Sequence, residues 1–262
     1  LCLTMVAAAC GCGQTENVEK EQESSVQKQE STAESTPAES SSEVVEDDSL
    51  YPLVDEPITV VGLMCGGEEI GDGRIVWDKV AEIIKNAGRE VKVLNLFAYT
   101  GGATISALKA GASVCHVDAS KGMTLWAKEN AVSSGVADKN VRWIVDDCIK
   151  FVQREIRRGN KYDIIIMDPP SYGRGPGGEV WKLENEVYGF VELCSQVLSD
   201  DPLMVLINSY TTGLSPSVME YILGAVVKKR FGGKVTGSEI GLRATENGLV
   251  LPCGASAIWS KE

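Results

Sequence analysis

VKVLNLFAYTGGAT, residues 91–104, decides how the rest of the chain reads. Residues 91–97 form an apolar run of strand length, too short for a helix. A loop with two adjacent glycines follows, and then a helix-like run over 102–110. The same unit recurs downstream. Strand-like runs lie at 113–117, 141–145, 162–167 and 203–208, with helix-like runs at 121–134, 147–158, 182–199 and 215–230. Strands alternating with helices predict a parallel sheet covered on both faces. The end of the chain departs from the rhythm. Segments 235–243 and 248–259 are joined by a short stretch containing Glu-Asn-Gly, which predicts an antiparallel hairpin at the sheet edge. Upstream, WDKVAEIIKN (77–86) places Val80, Ile83 and Ile84 on one helical face, and ITVVGLM (58–64) is a short strand-like run. The expected fold is an α/β, doubly wound, mostly parallel seven-stranded sheet with a C-terminal antiparallel hairpin.

In such a sheet ligands bind beyond the carboxyl ends of the strands. The first strand runs into Tyr99, Gly101 and Gly102. Glycines allow backbone to approach a ligand, and the helix start behind them favours an anionic group; a plain strand-to-helix turn has the same composition. The loop is not G-x-G-x-x-G, and no P-loop occurs, which disfavours dinucleotide and NTP cofactors. The second strand, ASVCHVD, ends in Asp118, which can accept from two ribose hydroxyls or cap the helix starting near Lys121. The third, VRWIVDD, ends in Asp146 and Asp147. Asp147 can accept from an adenine amino group, or it too can be a cap. The fourth, YDIIIMD, ends in Asp168-Pro169-Pro170-Ser171-Tyr172. Two prolines fix φ twice and remove two donors, leaving carbonyl acceptors and a carboxylate. Such a loop can hold a planar nitrogen, with Tyr172 free to stack on a base; a rigid turn is the plainer reading.

The runs LNLFAYTGGAT, HVDASKGMTLWAKENA and RWIVDDCIKFVQREIRRGNKYDIIIMDPPSY, taken together, resemble the class I S-adenosylmethionine (SAM)-dependent methyltransferases related to bacterial large-subunit ribosomal RNA methyltransferases. The resemblance spans residues 89–262 and implies a Rossmann-like fold, SAM as cofactor and an RNA acceptor. It implies cofactor contacts from Tyr99, Gly101, Gly102, Asp118, Asp146, Asp147 and Asp168. It also implies catalytic roles for Asp168, Pro169, Pro170 and Tyr172. Relatives that methylate cytosine C5 use a cysteine on the loop after the fifth strand. Here that loop reads INSYTTG, with Asn208, Ser209 and Tyr210, so direct in-line transfer to nitrogen or oxygen is expected. Cys253, in LPCGAS, is the late alternative and is expected to pack in the final hairpin.

The first 88 residues read differently. LCLTMVAAACGCG (1–13) resembles the end of a bacterial lipoprotein signal, with Cys10 as the lipidated residue. Residues 14–49 are rich in Glu, Ser, Gln and Thr, hold no aromatic residue, and are expected to form a disordered acidic tether. Residues 13–50 carry eleven acidic and two basic residues, a net of −9 out of −12, so the remaining chain is near −3. Residues 50–88 resemble the opening strand and helix of extracellular solute-binding lipoproteins, which places a seam near Asn86–Arg89. The two resemblances conflict over compartment. A working methyltransferase belongs in the cytoplasm with its cofactor; membrane attachment through Cys10 belongs to the alternative, a non-catalytic surface lipoprotein that binds a small ligand. No zinc-like cysteine spacing occurs, and His116 is the single histidine, so no metal is expected. Cys115, Cys148 and Cys194 sit in apolar segments and read as small buried hydrophobes. Basic candidates for RNA contact are Arg154, Arg157, Arg158, Lys161, Arg174 and Lys228-Lys229-Arg230, each of which can equally be a solvated helix end.

Overall fold

Ile164, Ile165, Ile166 and Met167 are all buried, yet they divide between two cores. Ile164 and Ile166 join a cluster with Val93, Leu108, Met204 and Leu206, whereas Ile165 and Met167 join Leu94, Leu96, Val205 and Ile207 on the opposite face. Side chains alternate across a strand, so a run that is apolar at every position belongs to a sheet covered on both sides. The computed structural model describes residues 74–174, 180–243 and 249–261. The lipoprotein-like segment, the acidic tether and the run at 58–64 lie outside the described residues.

The elements in order are α1 (Arg74–Asn86), β1 (Lys92–Leu96), α2 (Gly102–Lys109), β2 (Ser113–Asp118), α3 (Lys121–Ser133), β3 (Val141–Val145), α4 (Cys148–Arg158), β4 (Ile164–Met167), β5 (Tyr172–Arg174), β6 (Val180–Lys182), α5 (Leu183–Ser195), β7 (Met204–Ser209), α6 (Pro216–Leu223), α7 (Lys229–Phe231), β8 (Lys234–Arg243) and β9 (Val250–Ser260). Seven strands form one sheet in the order β3-β2-β1-β4-β7-β9-β8. The first five run parallel; β9 is antiparallel to both β7 and β8. The fold is the α/β, Rossmann-like, seven-stranded arrangement that the alternation predicts, with the hairpin at the edge.

Residues of α1 and α2 pack on one face with Ala131 of α3, and residues of α4, α5 and α6 pack on the other. Helix α1 contributes Val80 and Ile84 to the first face. Cys115, Cys148 and Cys194 are free and buried as expected, and burial pushes the Cys115 thiol up to about 11.

Two expectations need correction. The helix expected over 215–230 is divided: α6 passes into a π-helical turn at Gly224–Lys228 before the short α7. Gly224, at the start of the turn, has the conformational freedom to leave regular α-helix, and Val227 is buried within the turn. The helix expected over 182–199 ends at Ser195, where its last turn tightens through Gln196, Val197 and Leu198. A small antiparallel ladder, β5 with β6, was not expected at all.

Candidate functional site

Strand order reverses between β1 and β4, and the crevice at that switch point is where this architecture binds ligands. A small, open cleft lies there, lined by Asn95, the segment Phe97–Ala103, Ile166 and Asp168. The loop after β1 is unusual in its backbone. Phe97 (φ 54°) and Tyr99 (φ 47°) are both left-handed, a conformation that costs a non-glycine residue about 1–3 kcal/mol. Hydrogen bonds hold it: Ala98 N–H to the Val117 carbonyl (3.1 Å), Gly101 N–H to the Ala98 carbonyl (3.0 Å) and Asn130 Nδ2 to the Thr100 carbonyl (3.0 Å).

Gly101 is required for a reason other than ligand approach. Its φ is 86°, and an added Cβ would sit 3.0 Å from the Ala127 Cβ of α3. The glycine lets the loop and α3 pack closely. Gly102 opens α2, whose N-terminus carries no side-chain cap hydrogen bond.

Asp118 receives two backbone N–H groups, from Tyr99 to Oδ2 (2.9 Å) and from Ser120 to Oδ1 (2.8 Å). It is therefore not the cap of α3; Ser120 is, accepting from Met123 N–H at 3.3 Å. The two bonds fix the carboxylate beside the loop. An ionised carboxylate offers about four acceptor sites, so two remain for hydroxyl groups. Asp147 does serve as a cap: Oδ1 accepts from Lys150 N–H at 2.8 Å at the start of α4. Asp146 is paired with Arg154.

Asp168 stands at the carboxyl end of β4. Burial raises its carboxyl to about 6, against the partial opposition of hydrogen bonds from Asn208 and Tyr210; the Asn208 Nδ2 contact is 3.5 Å. Pro169 is buried and Pro170 exposed. Tyr172 is half-exposed on β5. Beneath the cleft floor lies a buried polar chain. Asn95 Nδ2 donates to Thr104 Oγ1 (3.0 Å), which is 3.0 Å from His116 Nδ1, and the imidazole packs tilted at 56° against Trp143, ring centroids 4.7 Å apart. Burial lowers His116 to about 4, so it is neutral near pH 7.

The structure thus brings Tyr99, Gly101, Gly102 and Asp168 to one cleft, with Asp118 bonded to its wall. Cys253 is only partly buried, on β9, and its thiol donates to the Leu251 carbonyl at 3.4 Å. Several basic candidates are engaged within the fold. Arg154 pairs with Asp146, Arg158 with Glu155, Lys161 donates to the Gln196 carbonyl, and Arg230 donates to the Ser195 carbonyl. Among the described residues no group of His, Cys, Asp or Glu could hold a metal ion, and no helix is long and apolar enough to cross a membrane. Sequence reasoning missed Asn130, Ser120 and Trp181, whose indole N–H donates to the Pro170 carbonyl at 2.7 Å. A lone tryptophan eleven residues past Pro170 was the only signal for the last.

Part of the chain is similar to known methyltransferases. Residues 72–187 match the family described as S-adenosylmethionine-dependent methyltransferase. The match begins upstream of α1 and includes it. The chain is 40% identical over 82 residues to "Ribosomal RNA large subunit methyltransferase I" of Aeromonas salmonicida, covering 31% of this chain and 21% of that protein. It is 38% identical over 90 residues to "Ribosomal RNA large subunit methyltransferase K/L" of a Shewanella species, covering 34% of this chain and 12% of that one. The chain therefore spans about a fifth or less of the length of these relatives. Among solved structures, a SAM-dependent methyltransferase from Agrobacterium tumefaciens superposes with a TM-score of 0.68 at 39% identity, over 72% of this chain and 62% of that one.

Proposed function

We propose, on the premise that residues 72–187 belong to a SAM-dependent methyltransferase domain, that this chain transfers a methyl group by direct in-line displacement to a nitrogen, or less readily an oxygen, of RNA. The observation that carries the reading is the acceptor loop. Asp168 supplies a carboxylate, Pro169 supplies a carbonyl, and neither proline has an N–H to donate. A loop that accepts and does not donate suits the amino group of a nucleobase, which brings two donors.

The cleft fits the cofactor in the chemistry of its donors and acceptors. The α2 start favours the amino-acid carboxylate, and Asp118 keeps two acceptor positions for the ribose hydroxyls. Asp146 and Asp147 remain candidates on the adenine side. The cofactor supplies a methyl group already activated on a sulfonium. What the chain adds is alignment and the exclusion of water, which can contribute on the order of 7–11 kcal/mol. Asp168 orients the acceptor nitrogen and takes up the proton that nitrogen releases, a task suited to a carboxyl raised to about 6. Tyr172, half-exposed beside the loop, can stack on the target base. Asn208, Ser209 and Tyr210 hold the position where C5-directed relatives carry their nucleophile, which supports the non-covalent route. RNA as the acceptor class rests on the names of the ribosomal RNA methyltransferase relatives.

The test is calorimetric titration with S-adenosylhomocysteine, followed by transfer of labelled methyl from SAM to under-methylated ribosomal RNA with nucleoside analysis. Saturable binding that disappears in Asp118→Ala, with label in an N- or O-methylated nucleoside, supports the proposal. A folded protein that binds no S-adenosylhomocysteine, or label recovered as a C5-methylated pyrimidine, overturns it.

A further inference from the structure

The acceptor loop has few anchors of its own. Asp168 N–H reaches back to the Leu96 carbonyl at 3.4 Å, but the next two residues have no N–H to donate. Proline fixes φ, and Pro169, standing before a second proline, is also held to an extended ψ; the ψ of Pro170 is open, so the direction of its carbonyl must be set from outside. Two contacts hold this part of the loop: Trp181 Nε1 donates to the Pro170 carbonyl at 2.7 Å, and Leu183 N–H donates to the Ser171 carbonyl at 3.1 Å. Both come from the strand–helix corner formed by β6 and α5. The β5–β6 ladder, which sets Gly173 opposite Trp181, keeps that corner against the loop.

We propose that Trp181 is a positioning residue that holds the Pro170 carbonyl out of the site, leaving the Asp168 carboxylate and the Pro169 carbonyl as the acceptor pair for a substrate amino group. The inference rests on the methyl-transfer reading and deepens it by naming what selects the acceptor pair. Among the described residues no hydrogen bond ends on the Pro169 carbonyl, whereas the next two carbonyls are both taken.

The rest of the Trp181 side chain ties this loop to the cofactor cleft. Its ring packs edge-on against Phe190 (5.7 Å, 87°) and tilted against Phe97 (6.0 Å, 42°), and Phe97 meets Phe190 at 5.6 Å. Phe97 is one of the left-handed residues of the cleft wall. One side chain therefore spans cleft wall and acceptor loop. Any large aromatic could fill the ring's place; only an indole brings an N–H to the Pro170 carbonyl.

The experiment is a 13C-carboxyl NMR titration of Asp168 in the wild-type chain and in Trp181→Phe, with the signal assigned by its loss in Asp168→Asn. The groups that act on this carboxyl, Asn208 and Tyr210 from the end of β7, are untouched by the substitution. The wild type is expected to titrate near 6. In Trp181→Phe the freed loop admits water, and the midpoint is expected to fall by about one pH unit or more toward the ordinary carboxylate value. A midpoint that is the same in both proteins, whatever happens to thermal stability, overturns the proposal and makes Trp181 a packing residue only. If the Phe variant does not fold, benzothienylalanine at position 181 keeps the shape with sulfur in place of N–H and reads the same quantity. Titration of both samples with S-adenosylhomocysteine separates the two claims. Absence of binding by the wild type removes the methyl-transfer reading, and with it the substrate role assigned to the loop. Equal binding by both proteins with a shifted Asp168 midpoint supports the positioning role.

Discussion

Burial moves Asp168 and His116 in opposite directions on the pH axis, and their linkage to folding opposes accordingly. Asp168 has a folded pKa of about 6, above the unfolded value of about 3.9. Its contribution is complete below the unfolded value and is lost as pH rises through 6. His116 has a folded pKa of about 4, below the unfolded value of about 6.5. Its neutral form favours the folded state above 6.5, and stability is lost as pH falls toward 4. Between pH 4 and 6 the two slopes largely cancel. Asp168→Asn removes one of them. The variant is expected to be more stable than wild type at pH 7.5 by about 1–3 kcal/mol, to lose about 3 kcal/mol between pH 6.5 and 4, and to lose methyl transfer. Urea midpoints against pH check this; a variant no more stable than wild type at pH 7.5 contradicts it. Glu155, fully buried and held low by Tyr162, Asn160 and Arg158 despite its burial, adds loss only at the acid end. The carboxylates at the strand ends were legible in the sequence because position alone marks them. The packing role of Gly101 was not, because Ala127, which presses against it, is far away in the chain.

At the scale of elements, period and punctuation located every strand of the main sheet to within about two residues. They could not find β5 and β6, because three residues are too few to show a period of two. Nor could they divide α6 from the π-helical turn, since the apolar spacing continues through it. The hairpin was legible as strands, but not in what it demands of its partner. At Gly254 in β9, an added Cβ would overlap the Ser209 carbonyl oxygen at the end of β7 and crowd the Tyr210 ring. The β7–β9 pairing, with Ser209 opposite Ala255, allows no alternative path for the backbone there. Gly254→Ala is therefore expected to destabilise the domain by about 2–3 kcal/mol, as overpacking of a closed site does. It should also weaken the Asn208 contact to Asp168, which lies one residue from the collision. Thermal unfolding measures the first effect. An unchanged melting temperature would mean that β9 can shift along β7, and that the edge is looser than its register implies.

At the scale of the whole molecule the question is which residues make one folding unit. Hydrophobic runs name strands but not their neighbours, so the sheet order became visible only in the structure. The seam placed near residues 86–89 rested on resemblance on either side of it, and the packing bears on that boundary directly. Val80 and Ile84 of α1 are buried against the face that also holds Val91, Val93, Ile105 and Leu108. Burying each such side chain is worth about 1.5–3 kcal/mol. Removing α1 therefore costs about 3–6 kcal/mol and also uncovers the apolar face of α2. A domain of this size holds only about 5–15 kcal/mol in total. Two fragments are expected to differ sharply: residues 72–262 should unfold cooperatively, whereas residues 89–262 should unfold at a much lower denaturant concentration and expose apolar surface to a dye such as ANS. Loss of α1 should also weaken S-adenosylhomocysteine binding, because α2, against which α1 packs, starts at the cleft proposed for the cofactor and takes its position from that packing. If 89–262 proved as stable as 72–262, α1 would be an appendage and the seam would be physical. If it does not, the helix belongs to the domain that the family match already assigns it to, and any join in the chain lies upstream of residue 72.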